Sequence, residues 1–269
     1  LSRMKGQVLN SMSVTNVTPS VAGKDAPSVD EIKYLAKYNA SSQERCVTLK
    51  DYKTRLMMMP PKYGAPYRSA VIEDNNKISM SLLGLNSLGK LDKSLPEALV
   101  NNILEYMSHY RSINDYIEVK SGRIYNVGFS VDVFIDKSYN SANVVSNIIN
   151  KIKDYMDVEK HDMGEDIFIG DLEKEITLID GVLSLISLRV YSIYSQNSGN
   201  YSTDKAPYPM LNEQVDCKTA NLPFFNVSDG SQSYPIDLDA IDRVLYSDYN
   251  SMFEILNPTN DIQIRVKLK

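Results

Sequence analysis

Apolar positions along this chain change period several times, and each change marks an element. Residues 1–29 are rich in Ser, Val, Thr and Asn, contain Pro19 and Pro27, and hold no helical period, so they read as an extended arm or loop. A short helix is predicted over 28–38, where Ser28 and Glu31 have capping-box spacing and Ile32, Leu35 and Ala36 share a face. A second is predicted over 47–59. Thr48 is its cap, Asp51 sits in the first turn near the positive end of the helix dipole, and Tyr52, Leu56 and Met59 share a face before Pro60 and Pro61 stop the helix. Met57–Met59 read as core filling.

Two similar stretches follow. Residues 69–86 predict two strands around the polar turn at Asp74–Asn76, and residues 94–110 a helix started by Ser94, Pro96 and Glu97 with an apolar stripe at Leu99, Ile103, Tyr106, Met107 and Tyr110. Residues 115–136 then predict another hairpin, turning at Ser121–Gly122. Ile117 and Val119 alternate on its first strand; Val127, Phe129, Val131 and Val133 alternate on its second. A helix over 141–156 follows, with Val145, Ile148, Ile149, Ile152 and Tyr155 facing inward. The order suggests an internal echo of hairpin plus helix.

The pattern continues as a short strand at Ile167–Ile169, a helix over Leu172–Ile179 ended by Asp180–Gly181, and a strand from Leu183 with a bulge at Ile186–Ser187. Beyond Ile193 the chain turns polar, with Pro207 and Pro209, and reads as a linker or exposed loop. Residues 236–249 suggest a helical turn. Two strands broken at Asn257–Pro258 close the sequence, the last alternating Ile262, Ile264, Val266 and Leu268, and able to pair with a sheet of this chain or of a neighbour. The fold class is therefore α+β: two small modules of β-hairpins and helices in sheet-plus-helix layers, with an extended N-terminal arm and a C-terminal tail. The expected divisions are 1–44, 45–120, 121–195 and 196–269.

Composition narrows the function classes. Hydrophobic residues are 43% of the chain, enough for a real core, and the formal charge of −5 is spread without a basic stripe, which disfavours nucleic acid. No apolar run reaches the roughly 20 residues of a membrane span, and no signal peptide is visible. The start at Leu1 suggests a piece of a longer polypeptide. Cys46 and Cys217 lie far apart and lack metal or disulfide spacing. There is no Trp but there are 18 Tyr, a residue that serves both cores and partly polar interfaces.

Candidate chemistry is sparse. His109 sits at a helix end. His161 lies in an acidic run with Glu159, Asp162, Glu165 and Asp166, which lacks calcium-loop spacing and reads as a solvated turn. The aspartates at 237–242 lack the third ligand and the glycine of an EF-hand. No nucleophile elbow, phosphate loop, dinucleotide fingerprint or zinc-protease motif occurs, so no catalytic, cofactor or metal site is assigned. Glycosylation-type strings at Asn16, Asn39, Asn200 and Asn226 stand unsupported by a secretory signal.

The string Arg45-x-Val47-Thr48-x-x-Asp51-Tyr52, preceded by a Gly- and acid-containing lead-in and a short helix, resembles the baseplate J-like wedge proteins of phages with contractile tails. The resemblance runs from about Gly23 to Ile193 and takes in "SGRIYNVGFSVDVFID" and "IDGVLSLISLRV", where Asp180-Gly181-Val182 stands in place of the family's Pro-Gly-Val. It is loose beyond Ile193. It implies a non-enzymatic virion subunit, assembled in the host cytoplasm with copies of itself and other tail proteins into a ring around the hub, which relays conformational change during infection. On this reading residues 1–29 and 196–269 reach neighbouring chains, with Tyr201, Tyr208, Phe224, Phe225, Ile262 and Ile264 as interface candidates. A receptor-binding or adhesion module, and a hydrolase using His161, are the rival readings.

Overall fold

The computed structural model of the chain describes residues 29, 32–33, 36–37, 45–75, 77–195, 201–207 and 231–268. The architecture is α+β, built on two sheets that meet at a common edge of the core. The residues described between 29 and 37 are helical, as the pattern over 28–38 predicts; Ser28, Glu31 and Leu35 lie outside the described residues.

Helix α1 (Leu49–Met57) begins where the sequence places it. Thr48 and Asp51 form a reciprocal capping box, each side chain accepting from the backbone N–H of the other. Strands β1 (Arg68–Asp74) and β2 (Lys77–Leu85) make the expected hairpin, with Asp74 opposite Lys77 and Asn75 in the left-handed region at φ +51°. Strand β3 (Leu91–Asp92) pairs with the end of β2. Helix α2 (Glu97–Ser108) then crosses over, and β4 (Tyr116–Ser121) runs parallel to β2 on the edge opposite β1. Helices α1 and α2 cover one face of this sheet. Tyr52, Leu56, Leu99, Ile103 and Met107 close on Ile78, Met80, Leu82 and Ile117.

Here the structure corrects the predicted second hairpin. Strand β5 (Arg123–Ile135) does not fold back on β4; it is the central strand of the other sheet. The alternation on both strands is as expected, but β4 pairs with β2 and β5 with β7, β10 and β11. The chain changes sheets at Gly122, whose N–H donates to Leu82 O at 2.7 Å, while Arg123 N–H donates to Asn250 O at 2.8 Å. A Cβ at Gly122 would lie 2.8 Å from Leu83 Cγ, 2.9 Å from Met163 Cε and 3.1 Å from Asn250 O, so the glycine serves a close approach rather than a hairpin turn. The echo of hairpin plus helix is therefore an echo of strand plus helix.

Strand β5 is followed by α3 (Ser141–Tyr155), the two-residue β6 (Ile167–Phe168), α4 (Ile169–Thr177) and β7 (Val182–Ser195). Asn140 caps α3, and the buried stripe is Val144, Ile148 and Ile152, one position off the predicted Val145 at its start. Helix α4 begins at Ile169, earlier than predicted, so that Ile169, Leu172 and Ile176 are all buried. Strand β7 runs antiparallel to β5, and the predicted bulge is present. Asp132 pairs with Ser187 but Val133 with Leu185, leaving Ile186 out of register; Leu183 is skipped in the same way and is exposed.

Strands from residues 231–268 complete this sheet. Strand β8 (Ser231–Ile236) pairs with the later half of β7. The region 237–243 is a run of turns rather than helix, carried through left-handed Asp242 and Arg243 into β9 (Val244–Leu245), which pairs with β6. Strands β10 (Ser251–Glu254) and β11 (Ile262–Leu268) lie end to end along one edge of β5, both parallel to it, separated by the short α5 (Pro258–Asp261). Tyr125, Val127, Phe129, Val131, Val133 and Ile135 point from β5 into the core formed with α3 and α4.

Candidate functional site

Polar groups gather most densely where the two sheets meet. A small apolar cluster of Tyr67, Ala70, Leu83, Leu91, Ile124, Met163 and Met252 joins them, and charged side chains tie its rim. Arg68, at the start of β1, lies over the Tyr67 ring at 4.4 Å and donates to three carbonyls of the loop after α3: Glu159 O at 2.9 Å, His161 O at 3.0 Å and Val158 O at 3.2 Å. Lys53 of α1 reaches the same loop through Asp162 at 2.7 Å. A guanidinium with several fixed donors suits a clasp on loop carbonyls.

Two carboxylates bridge from the other side. Glu254 of β10 is 1% exposed and accepts from Leu91 N–H of β3 at 3.0 Å, while Lys90 donates to Ile255 O at 2.7 Å. Burial pushes the Glu254 carboxyl up to about 7, against the opposing pull of the Leu91 hydrogen bond and the Lys90 charge. Asp204 accepts from Ile124 N–H at 3.0 Å and pairs with Lys93 at 2.8 Å. Segment 201–207 is thereby laid across the junction.

The Arg45–Tyr52 string divides into inner and outer residues. Thr48 and Asp51 form the capping box. Burial pushes the Asp51 carboxyl up, but hydrogen bonds from Thr48 and Val47 N–H and from the Thr48 hydroxyl, with the Arg55 charge, hold it below the usual range. Tyr52 is buried and donates to Asp115 Oδ2 at 2.5 Å, and both burial and that carboxylate raise its phenol. Arg45 and Val47 face outward, Val47 at 76% exposure. Cys46 between them is fully buried and its thiol is pushed up to about 12 by burial, so at neutral pH it is a packing residue rather than a nucleophile. Cys217 lies outside the described residues.

His161 does come near acids, as a hydrolase reading requires. It lines a cavity of about 260 Å³ with Lys53, Arg68, Glu159, Asp162 and Glu165. Its Nε2 lies 2.8 Å from Tyr155 O, an acceptor, so that nitrogen carries a proton and is committed to the backbone; Nδ1 is 3.8 Å from Glu165. His109 is at the surface, 4.0 Å from Glu105. Among the described residues, no three His, Cys, Asp or Glu side chains gather as a metal site would require, and no helix is long and apolar enough to cross a membrane.

Three of the interface candidates lie among the described residues. Tyr201 is 5% exposed, packs on Tyr191 and Ile193, and donates to Asp261 Oδ1 at 2.7 Å. Ile262 is buried and Ile264 half-buried against this chain's own core, because β11 pairs with β5 of the same chain. The described parts of 196–269 thus complete a sheet rather than extend away from it. Tyr208, Phe224 and Phe225, residues 1–28, and the glycosylation-type asparagines lie outside the described residues. Sequence reasoning missed Arg68, Asp204 and Glu254. Glu254 carried a signal, a lone carboxylate in the apolar run "MFEIL"; the other two sit in ordinary polar contexts.

No protein-family model matches the chain, and no curated protein matches it. Among solved structures, a chain of the anti-feeding prophage (AFP) baseplate, determined by cryo-EM with six-fold symmetrisation, is similar at 14% identity with a TM-score of 0.43. The likeness covers 66% of this chain and 42% of that one, so this chain spans under half the length of its neighbour.

Proposed function

We propose that this chain is a structural subunit of a phage-type tail baseplate, a wedge component of the J-like kind, that assembles with copies of itself and other tail proteins and carries out no bond-making chemistry. The observation that carries the reading is the Arg45–Tyr52 string set within its order of modules. Its inner residues Thr48, Asp51 and Tyr52 secure the helix start and the loop before β4, and its outer residues Arg45 and Val47 remain at the surface for contact. The charged clasp between the sheets suits a part that must hold its shape under load: each bridge joins groups far apart in sequence, from Lys53–Asp162 to Leu91–Glu254.

Electron microscopy of the particle carrying a labelled copy of this chain tests the reading, with density at the tail end as the expected outcome. A chain that stays monomeric at rising concentration in light scattering and captures no tail protein from infected cells overturns it. The non-enzymatic part has its own test. His161→Ala is expected to leave assembly and infection intact, since Nε2 serves a backbone carbonyl; loss of infectivity with normal assembly favours the hydrolase reading.

A further inference from the structure

The end of the β2–β3 hairpin, residues 86–93, reaches off the first sheet and onto the second. Its turn is closed on itself. Asn86 N–H donates to Lys90 O at 2.8 Å, and the Asn86 side-chain oxygen accepts from Leu88 N–H and Lys90 N–H, both at 2.9 Å. Such a turn moves as one piece. Strand β3 is held to β2 through the pairs Gly84–Asp92 and Leu85–Leu91. Three polar ties cross from the tip to the second sheet and segment 201–207: Leu91 N–H to Glu254 at 3.0 Å, Lys90 to Ile255 O at 2.7 Å and Lys93 to Asp204 at 2.8 Å.

Glu254 stands between two cavities. One, of about 380 Å³, lies toward Gly89, Lys90 and the end of α3; the other, of about 350 Å³, lies toward Leu91, Asp92 and Ser202. Glu254 lines both and is itself 1% exposed. Closed, the tip keeps water from a carboxyl that has room for water on either side, and an ionised carboxylate is costly there.

The surrounding charges do little to offset that cost. The cation Glu254 feels is Lys90, which it shares with Asp261 and whose ammonium is given to Ile255 O. The other acids have partners of their own. Asp204 pairs with Lys93, Asp261 accepts from Tyr201 and Asn257 N–H, and Asp92 accepts from Ser94 N–H. At the end of α3, Asp154 pairs with Lys160 and Asp157 accepts from Glu159 N–H, while Lys153 lines the first cavity. Strand β5 meets Glu254 with the neutral Asn126. An ionised Glu254 must compete for Lys90 or take water.

We propose that the hairpin tip at 86–93 is a proton-operated latch: with Glu254 protonated it lies closed across the junction, and when Glu254 ionises it swings off β10, joins the two cavities and admits water to the carboxylate. The latch stands apart from the subunit reading and needs no other chain. Its sign follows from the closed state, where burial raises the carboxyl from 4.5 to about 7. Closure is favoured fully below the ordinary glutamate range and is lost as pH rises through the raised value. With an ordinary carboxyl in the open state, the opening constant rises about 50-fold from about pH 5 to about pH 8.

Hydrogen exchange of the full chain at those two pH values, corrected for intrinsic rates, tests this at Leu91 N–H. Protection there is expected to fall about 50-fold at the higher pH, and at that pH to be insensitive to low urea and well below that of the β5 amides, the signs of a local opening. Glu254→Gln, which keeps an acceptor for Leu91, is expected to remove the pH dependence. A Leu91 amide that exchanges only with the β5 amides, with the same urea dependence, overturns the latch, and so does an unchanged pH dependence in Glu254→Gln. Should that variant fail to fold, the Leu91 amide shift of the unaltered chain decides by NMR. A midpoint near pH 7 is expected; titration in the ordinary glutamate range, or none, overturns the proposal.

Discussion

The two sheets reach similar packing by opposite routes. The first is made from one continuous stretch, residues 68–121: hairpin, short return strand, crossover helix and parallel strand follow one another, and β2 holds both neighbours. The second is assembled around β5 from strands that arrive late. Its partners β8, β10 and β11 begin at residues 231, 251 and 262. Pairings between distant segments carry a larger loop-closure cost before their contacts form. The second sheet meets that cost with a longer and more continuous apolar core, six alternate residues of β5 facing two helices. The lesson is that the described C-terminal strands, from residue 231 on, are a structural part of the second sheet rather than an appendage.

If the sheets are one cooperative body, damage to either spreads. Phe129→Ala, at a fully buried position on β5, is expected to cost about 4 kcal/mol, and in hydrogen exchange to lower protection in β2 and β4 as well as in β5 and β7. Protection lost only in the second sheet would show two independent units joined by a weak seam.

The seam itself answers to pH. Glu254 has its carboxyl raised in the folded chain from 4.5 to about 7, so the folded state binds the proton more tightly than the unfolded state. Its contribution is fully present below the unfolded value and is lost as pH rises through the folded one. The shift corresponds to a loss on the order of 3 kcal/mol between about pH 5 and about pH 8, which urea denaturation at the two pH values measures. Glu254→Gln is expected to flatten this dependence while leaving the Leu91 hydrogen bond.

Gly122→Ala strikes the crossing point. The added methyl meets two side chains and a backbone oxygen, and a cost of about 2 kcal/mol is expected in thermal or urea unfolding. A neutral outcome would mean that the sheets shift easily against one another. The smallest effect belongs to the first sheet's flank. Thr48→Ala removes the cap of α1 and is expected to cost about 1 kcal/mol in urea unfolding.

Much of this molecule was legible in its sequence because local rules operate locally. The cap at Thr48, the stop at Pro60, the turn at Asn75, the stripes of α2 and α3 and the bulge at Ile186 all follow from backbone sterics, capping and hydrophobic period. Which strand meets which does not. Alternation states that β4 and β5 have an inner and an outer face, but any strand offers two edges, and the choice of partner depends on where the helices carry the chain. Ser121–Gly122 therefore has the composition of a hairpin turn yet passes between sheets. The junction was hidden for the same reason. Arg68, Asp204 and Glu254 acquire meaning only from the groups opposite them, and those lie tens to more than a hundred residues away along the chain. Side-chain period is a property of the sequence; adjacency across a core is a property of the fold, set by the burial and hydrogen-bond satisfaction of all its parts together.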